Sequence, residues 1–294
     1  MITDNNLLIH PEQCKRINSR VSYISDNFIQ FVPNIGIIEG DDKVLLIDTG
    51  IGTYNGDILK EYVSSFLNGR ELLITTTHFH PEHAYGLEAF KGAATIIYNE
   101  KQKQDFLSKG ENYLKLFKTF GKDFKQLLDC THLVEGDKYY SGRITIDLGN
   151  LEIELIEVGG GHTLGDQIIY IPKYQILFTG DLIENRVFPI FPYYPPSDTD
   201  VNGYKWINIL KYMIDINPNI VVPGHGDIGG VEIIQQQLFY LEQLKKDTLH
   251  LLKSNCDIMD IEAQLELKYQ TIFKNWRESE WIRLAVRNFV DKKS

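Results

Sequence analysis

The feature that most limits what this chain can fold into is a dense group of histidines directly after an apolar run. Residues 77–83 read THFHPEH and follow the run ELLITTT, so three histidines and one glutamate lie within six residues. In an extended chain, side chains two residues apart point the same way, which directs His78 and His80 to one point. The proline that follows turns the chain and directs Glu82 and His83 to another. Imidazole and carboxylate groups bind zinc, iron and manganese, so this pattern predicts a metal site at a strand end.

Three further segments place a potential metal ligand just after an apolar run and beside glycine. They are GGGHTLGD over 159–166, FTGD over 178–181 and VPGHG over 222–226. Glycine permits the sharp turns and close approaches that such a site needs. Since α/β folds assemble sites at the ends of several strands, we expect His162, Asp181 and His225 to join the histidine cluster.

The pattern of apolar residues predicts an α/β or α+β fold. Short apolar runs predict strands in the first fifty residues, FIQFV over 28–32 among them. Helical spacing predicts a helix over 56–69 with Gly69 as its C-cap, and a charged helical region over 99–130. The later strand signals read as two hairpins, followed by one more helix. These segments cover 143–158, 167–181 and 203–216.

The pattern becomes entirely helical after residue 229. Apolar residues recur there at helical spacing in two stripes. We therefore expect a main domain over 1–229 and a helical C-terminal extension over 230–294 that packs on it. The same stripes could instead form the contact of a homodimer.

The composition of the chain limits the functions that it could have. The 294 residues carry a formal net charge of −10, which argues against a nucleic-acid partner because phosphate binding needs clustered lysine and arginine. The three cysteines are scattered and form no disulfide framework. The sequence has no basic, apolar leader at its N-terminus and no run of ~20 apolar residues. We expect a cytoplasmic protein that does not enter membranes and that acts on a small molecule.

Five segments in this order resemble the motifs of the metallo-β-lactamase superfamily. They are LLIDTG around Asp48, THFHPEH, GGGHTLGD, FTGD and VPGHG, and the match extends from about Val21 to Gly229. The resemblance implies a four-layer αβ/βα sandwich, in which two packed sheets carry helices on both outer faces. It also implies metal ions at one edge of that sandwich.

The resemblance assigns the candidate residues to two metal positions. His78, His80 and His162 would bind the first metal. Asp181 stands where related hydrolases place an aspartate that bridges two metals. Asp48 matches an aspartate that accepts a hydrogen bond from a ligand histidine and fixes its tautomer.

The second metal position departs from the family pattern. His83 and His225 would bind this metal, with Glu82 at the carboxylate position where the pattern HxHxDH has aspartate. The added methylene moves the carboxylate by roughly an ångström, a large change beside metal–oxygen distances of ~2.0–2.2 Å. Glu82 thus ligates the metal, acts as a general base, or leaves the position weak or empty. We expect ligation, and we count Glu82 with Asp181 and Asp48 as candidate catalytic residues.

These features predict a metallo-hydrolase that holds one or two zinc ions, with iron or manganese as possible substitutes. A metal lowers the pKa of water toward ~7, so hydroxide is available at neutral pH. The chain has no GxSxG motif, and we expect water to attack an acyl carbon of a small ester, lactone, thioester or β-lactam-like amide. The alternatives are an iron oxidoreductase of the persulfide-dioxygenase type, a nucleic-acid-processing enzyme, and a non-catalytic metal-binding protein.

An aromatic, proline-rich loop over 185–200 and the helical segment over 101–124 are candidates for the wall of a substrate pocket. The loop holds four of the ten prolines of the chain. Its aromatic side chains either line an apolar pocket or pack against the C-terminal helices, and two tryptophans share this ambiguity. The residues concerned are Phe188, Phe191, Tyr193, Tyr194, Trp276 and Trp281.

Overall fold

Two β-sheets lie face to face in the computed structural model, which describes residues 6–293. Within this range, the first sheet has seven strands in the order in which they occur along the chain. They are β1 (Lys15–Arg16), β2 (Val21–Ile24), β3 (Ile35–Glu39), β4 (Lys43–Ile47), β5 (Glu71–Thr75), β6 (Thr95–Asn99) and β7 (Lys138–Tyr140). Strands β1 to β4 pair antiparallel, whereas β4 to β7 pair parallel.

The second sheet has the order β12-β11-β10-β9-β8 in the described part of the chain. Its strands are β8 (Arg143–Asp147), β9 (Glu152–Glu157), β10 (Gln167–Ile171), β11 (Ile176–Phe178) and β12 (Ile220–Val222). The two predicted hairpins are confirmed as β8–β9 and β10–β11. Only the pair β11–β12 is parallel among these five strands.

Helices cover the outer faces of both sheets. They are α1 (Gly52–Ser64), α2 (Pro81–Ala84), α3 (Glu100–Asp105), α4 (Glu111–Phe117), α5 (Lys122–Leu128), α6 (Gly203–Ile216), α7 (Val231–Lys253), α8 (Ile258–Ile272) and α9 (Trp281–Asp291). A π-helical turn over Phe106–Gly110 joins α3 to α4. Short 3-10 segments cover Pro11–Gln13, Tyr85–Phe90 and Gly180–Leu182. No helix within residues 6–293 is both long enough and apolar enough to cross a bilayer.

Apolar side chains form three core layers. Successive side chains of β4 point alternately into two of these layers. Val44 and Leu46 pack with the helices from α1 to α5, whereas Leu45 and Ile47 pack between the two sheets. This alternation follows from the two-residue period of a strand. Leu177 belongs to a third cluster, which β10 and β11 share with helices α6 to α9. The predicted four-layer αβ/βα sandwich is confirmed.

Two local predictions were wrong. Residues 28–32 form turns rather than a strand, because Phe28 and Phe31 have φ angles of 58° and 62° that extended backbone does not allow. Helix α1 ends at Ser64, so Gly69 lies in the turn before β5 and is not its C-cap. The predicted helical region over 99–130 is confirmed, and it is divided into α3, the π-helical turn, α4 and α5.

Candidate metal centre

The candidate ligands lie at the ends of strands that meet at one edge of the two sheets. His78, Asp181 and His225 each lie three residues beyond the last residue of β5, β11 and β12, respectively. Asp48 directly follows β4, which runs parallel to β5, and His162 lies in the connection between β9 and β10. The candidate ligands at the strand ends of both sheets therefore lie close together at this edge.

The structure brings all seven predicted metal ligands into two overlapping groups, and every member is buried. The first group is His78, His80, His162 and Asp181, and the second is Glu82, His83, Asp181 and His225. Within each group, one ligand atom per residue lies within 4.8 Å of every other. Asp181 belongs to both groups.

Three ring nitrogens face one another in the first group. Nδ1 of His80 lies 3.0 Å from Nε2 of His78 and 3.0 Å from Nε2 of His162. Nδ1 of His162 lies 3.0 Å from the Ile190 carbonyl oxygen, to which it can only donate, so its Nε2 carries the lone pair. Burial, the largest cause, lowers the pKa of His162 to about 4 and those of His78 and His80 well below the usual range. These imidazoles are therefore neutral, as metal ligation requires.

The carboxylate of Asp181 lies between the two groups. Its Oδ2 is 3.7 Å from Nε2 of both His78 and His162. Its Oδ1 is 3.1 Å from Nε2 of His83 and 3.5 Å from Nε2 of His225. Burial opposes ionisation of Asp181, but the surrounding histidines outweigh it and hold its pKa well below the usual range. An ionised carboxylate with one oxygen toward each group can bridge two cations.

Asp48 acts on the second group through His83 and Thr77. Its Oδ2 lies 2.9 Å from Nδ1 of His83, and it also accepts the Thr77 hydroxyl at 3.0 Å. Its Oδ1 accepts the backbone N–H of Thr77 at 2.6 Å. Asp48 therefore does not enter either group, but it fixes the ring of His83 with Nε2 toward Asp181.

Several buried atoms of the second group lack a hydrogen-bond partner, which is the pattern expected of a cation site. Glu82 Oε2 is in this state, and His83 Nε2 and Asp181 Oδ1 lie 3.1 Å apart without the alignment of a hydrogen bond. Burial opposes the charged form of His83, but Asp181 and Asp48 outweigh it and raise its pKa well above the usual range, so a bound ion would displace a proton from this ring. Buried polar atoms without partners are costly, and a metal ion would satisfy them together. The residues present thus fit a metal.

Glu82 lies in helix α2, within the second group despite its longer side chain. Burial, with a further contribution from Asp181, raises its pKa to about 7. Burial is the largest cause, and it outweighs the opposing effect of His83 on this pKa. The geometry therefore places Glu82 within reach of a second metal, as ligation requires.

Sequence reasoning missed the residues that hold the ligand loops. Asp166 accepts the N–H groups of Gly161 and His162 at 3.1 and 2.8 Å, and so fixes the His162 loop. Its position in GGGHTLGD, four residues after the histidine, was a signal for this role. Asn34 donates to the carbonyl groups of Pro223 and Gly226 at 3.0 and 2.9 Å, which fixes the His225 loop. No local pattern could have linked these distant segments.

The aromatic residues of the 185–200 loop divide between core and pocket. Phe188 and Phe191 are fully buried and pack on Tyr240 and Phe289 of the C-terminal helices, so they line no pocket. Tyr194 lines a cleft beside the metal ligands. Of the three other candidate aromatic residues, Trp276 packs against the core, Trp281 lines the cleft, and Tyr193 donates its hydroxyl to Asp291.

The sandwich of sheets and the two donor groups define a class of metal-binding proteins with hydrolases among its members. The family model of the metallo-beta-lactamase superfamily matches residues 29–225, about two thirds of the chain. The chain therefore belongs to the metallo-β-lactamase superfamily. Membership, together with a site able to hold metal, supports a metal-dependent hydrolase.

Individual relatives and solved structures agree with this family. A type 2 metallo-beta-lactamase of Bacteroides fragilis is 24% identical over 220 residues, which cover 74% of this chain and 78% of that protein. The structure of a metallo-beta-lactamase from Pontibacter korlensis matches with a TM-score of 0.62 at 20% identity, covering 78% of this chain and 98% of that one. A double mutant of the sec-alkyl sulfatase PisA1 matches with a TM-score of 0.70 at 13% identity, covering 95% of this chain and 50% of that chain. The two structures show likeness of fold alone.

Proposed function

We propose that this protein is a zinc-dependent hydrolase that adds water to the acyl carbon of a small ester, lactone, thioester or β-lactam-like amide. The observation that carries the proposal is the position of Asp181, whose two carboxylate oxygens face two separate donor groups. The curated relatives named as metallo-beta-lactamases support a hydrolytic reaction on an acyl compound. The net charge of −10 favours a small molecule over a nucleic acid as substrate.

Each donor group has a role in this reaction. His78, His80 and His162 would hold the first zinc, and His83 with His225 would hold the second. Zinc bound there would lower the pKa of water toward ~7 and polarise the substrate carbonyl, and iron or manganese could substitute for it.

Carboxylates complete the site. Glu82 would complete the second donor group, and the ionised carboxylate of Asp181 can accept a hydrogen bond from water and so orient it. Asp48 would keep His83 in the tautomer that leaves Nε2 free.

The cleft around the ligands supports water, rather than a side chain, as the nucleophile. Among the described residues that line it, none is a serine or a cysteine. Serine and cysteine are the usual nucleophiles of acyl-enzyme mechanisms. Direct attack of water on the acyl carbon, without a covalent enzyme intermediate, is therefore the mechanism that these residues fit.

Metal analysis coupled to an activity screen tests this proposal. Purified protein should contain between one and two equivalents of zinc, iron or manganese, and should hydrolyse at least one of a lactone, a thioester, a β-lactam and an aryl ester. His80→Ala should lose metal and turnover together, whereas His250→Ala, an exposed histidine on α7, should keep both. Full activity in metal-free protein would contradict the proposal.

A further inference from the structure

The cleft at the metal ligands divides into two arms that meet at Glu82. Glu82, Phe31 and Ile190 line both arms. The first, which we name the apolar arm, has a volume of about 430 Å³ when the space at its open mouth is included. Its wall is formed by Tyr113, Leu116, Phe117, Phe120, Tyr194 and Trp281. The second, which we name the polar arm, has a volume of about 310 Å³.

The apolar arm reaches the metal ligands directly. His80, His162 and Asp181 form its inner end. The ring of Tyr113 stacks on the imidazole of His80 with centroids 5.0 Å apart and an interplanar angle of 29°. A group that fills this arm therefore lies next to the position where the acyl carbon would react.

The apolar arm presents no cationic side chain to an anionic group. Among the described residues that line it, none is a lysine or an arginine, and its two carboxylates, Glu82 and Asp181, are the proposed metal ligands. The cation behind its wall, Lys109, is engaged by Asp105 at 2.9 Å and by Asp198 at 3.1 Å. This cation is neutralised by the protein and is not available to a substrate.

The polar arm carries one cation among several acids. Arg277 lies there with Asp26, Glu184 and Glu278. Its guanidinium donates to the Phe28 carbonyl oxygen at 2.8 Å and lies 5.2 Å from the centre of the Phe28 ring. The acidic side chains outnumber this single cation, so the side chains of this arm present no net positive charge to a substrate carboxylate.

We infer that the substrates are uncharged acyl compounds whose alkyl or aryl acyl group fills the apolar arm, and that β-lactams with a free carboxylate are poor substrates. The inference rests on the proposed hydrolysis. Water adds to the acyl carbon, the bond to the leaving oxygen, sulfur or nitrogen breaks, and the leaving atom takes up a proton. The products are the carboxylic acid and an alcohol, thiol or amine.

Binding of alkyl hydroxamic acids to the zinc-loaded protein tests the apolar arm without turnover. Calorimetry should give a dissociation constant that falls about threefold to fourfold for each methylene from acetohydroxamic to octanohydroxamic acid, because a buried methylene contributes ~0.8 kcal/mol. Equal affinity along the series would overturn the inference.

Turnover tests the charge preference. The value of kcat/KM should rise from p-nitrophenyl acetate to p-nitrophenyl octanoate, and should be at least tenfold higher for the methyl ester of benzylpenicillin than for benzylpenicillin itself. A higher value for benzylpenicillin would contradict the inference but leave the hydrolase proposal standing. If no acyl compound is hydrolysed while hydroxamate affinity still rises with chain length, the proposed function fails and the role of the apolar arm as a binding site is supported.

Variants at the rim of the apolar arm isolate its contribution. Phe120 is 44% exposed, so Phe120→Arg should fold normally and place a cation in the arm. This variant should lose the dependence of kcat/KM on acyl chain length. The ratio of kcat/KM for the methyl ester to kcat/KM for benzylpenicillin should fall by tenfold or more. Leu267→Arg is the matched control, since Leu267 is 68% exposed on α8 and lines neither arm. Unchanged ratios in Phe120→Arg would overturn the inference.

Discussion

The carboxylate of Asp48 lies 2.9 Å from Nδ1 of His83, and this contact determines which ring nitrogen of His83 faces Asp181. The same oxygen also accepts the hydroxyl of Thr77. Asp48 has a φ of 66°, an uncommon backbone conformation for a residue other than glycine. The chain thus holds an unfavourable local conformation at the position that orients a ligand.

Replacing either aspartate by asparagine should reduce turnover, and Asp181→Asn should be the more damaging change. Asp48→Asn would place an amide donor against His83. Loss of a residue that orients a metal ligand typically lowers metal affinity or activity by ~10–100-fold. Asp181→Asn removes charge from both donor groups at once. Kinetics and metal analysis of the two variants provide the measurement. A greater loss in Asp48→Asn would reverse the roles assigned to them.

Removing metal should lower both activity and thermal stability. A chelator leaves the buried lone pairs of both groups without partners, so the melting temperature should fall by several degrees and return when zinc is added. Scanning calorimetry before and after chelation measures this change. Identical melting curves with and without zinc would show that the site holds no ion.

The Glu82→Gln variant tests whether Glu82 is a metal ligand or a general base. If it binds the second metal, Glu82→Gln should reduce metal content toward one equivalent, because an amide is a weaker ligand than a carboxylate. If it acts as a base, metal content should persist while turnover falls by roughly 10²–10⁴-fold. Both quantities should be measured on the same samples. Glu82→Asp restores the family pattern and tests whether the loop suits the longer side chain.

Gly224→Ala should disturb both donor groups without touching a ligand. A methyl group there would lie 2.0 Å from Asp181 Oδ1, so the bridging carboxylate would have to move. We expect metal content and turnover to fall together, by about tenfold or more in turnover. Gly69→Ala is the control, because it strains a turn with open space around it and should cost stability without loss of metal. Normal metal content in Gly224→Ala would contradict this expectation.

Lys109→Met should lower the free energy of unfolding by ~3–5 kcal/mol, because it leaves buried carboxylates without their cation. Asp105 and Asp198 would lose this partner. Denaturant unfolding measures the loss. Lys211→Met, which removes an exposed pair with Glu242, should stay within ~1 kcal/mol. Similar losses in the two variants would show that the buried ion pairs of Lys109 contribute no more to the free energy of unfolding than an exposed pair does.

The grouping of the candidate ligands could be predicted from the sequence because each lies beside a local strand-end signal. His78 and His80 alternate along extended chain, and glycine marks the turns that carry His162 and His225. Local patterns of apolar residues also predicted the two hairpins and helix α6. Two sheets and helices on both outer faces followed from the resemblance rather than from any spacing.

Features set by tertiary packing could not be predicted from local pattern. Phe191 and Tyr194 lie three residues apart in one aromatic loop, yet one is buried against Trp206 and the other lines the cleft. The apolar run 28–32 resembles a strand, but its left-handed residues turn it toward the cleft. These outcomes depend on contacts with distant segments, about which a short window of sequence carries no information.

The candidate ligands come from both halves of the chain, and this has a consequence for the lifetime of the protein. An ion that joins His83 to His225 closes a loop of about 140 residues, so it acts as a reversible cross-link on chain entropy. Separation of the two sheets would then require release of the ion first. Zinc supply would thus set how fast the chain opens to proteases, and metal-starved cells would clear this protein sooner than metal-replete ones.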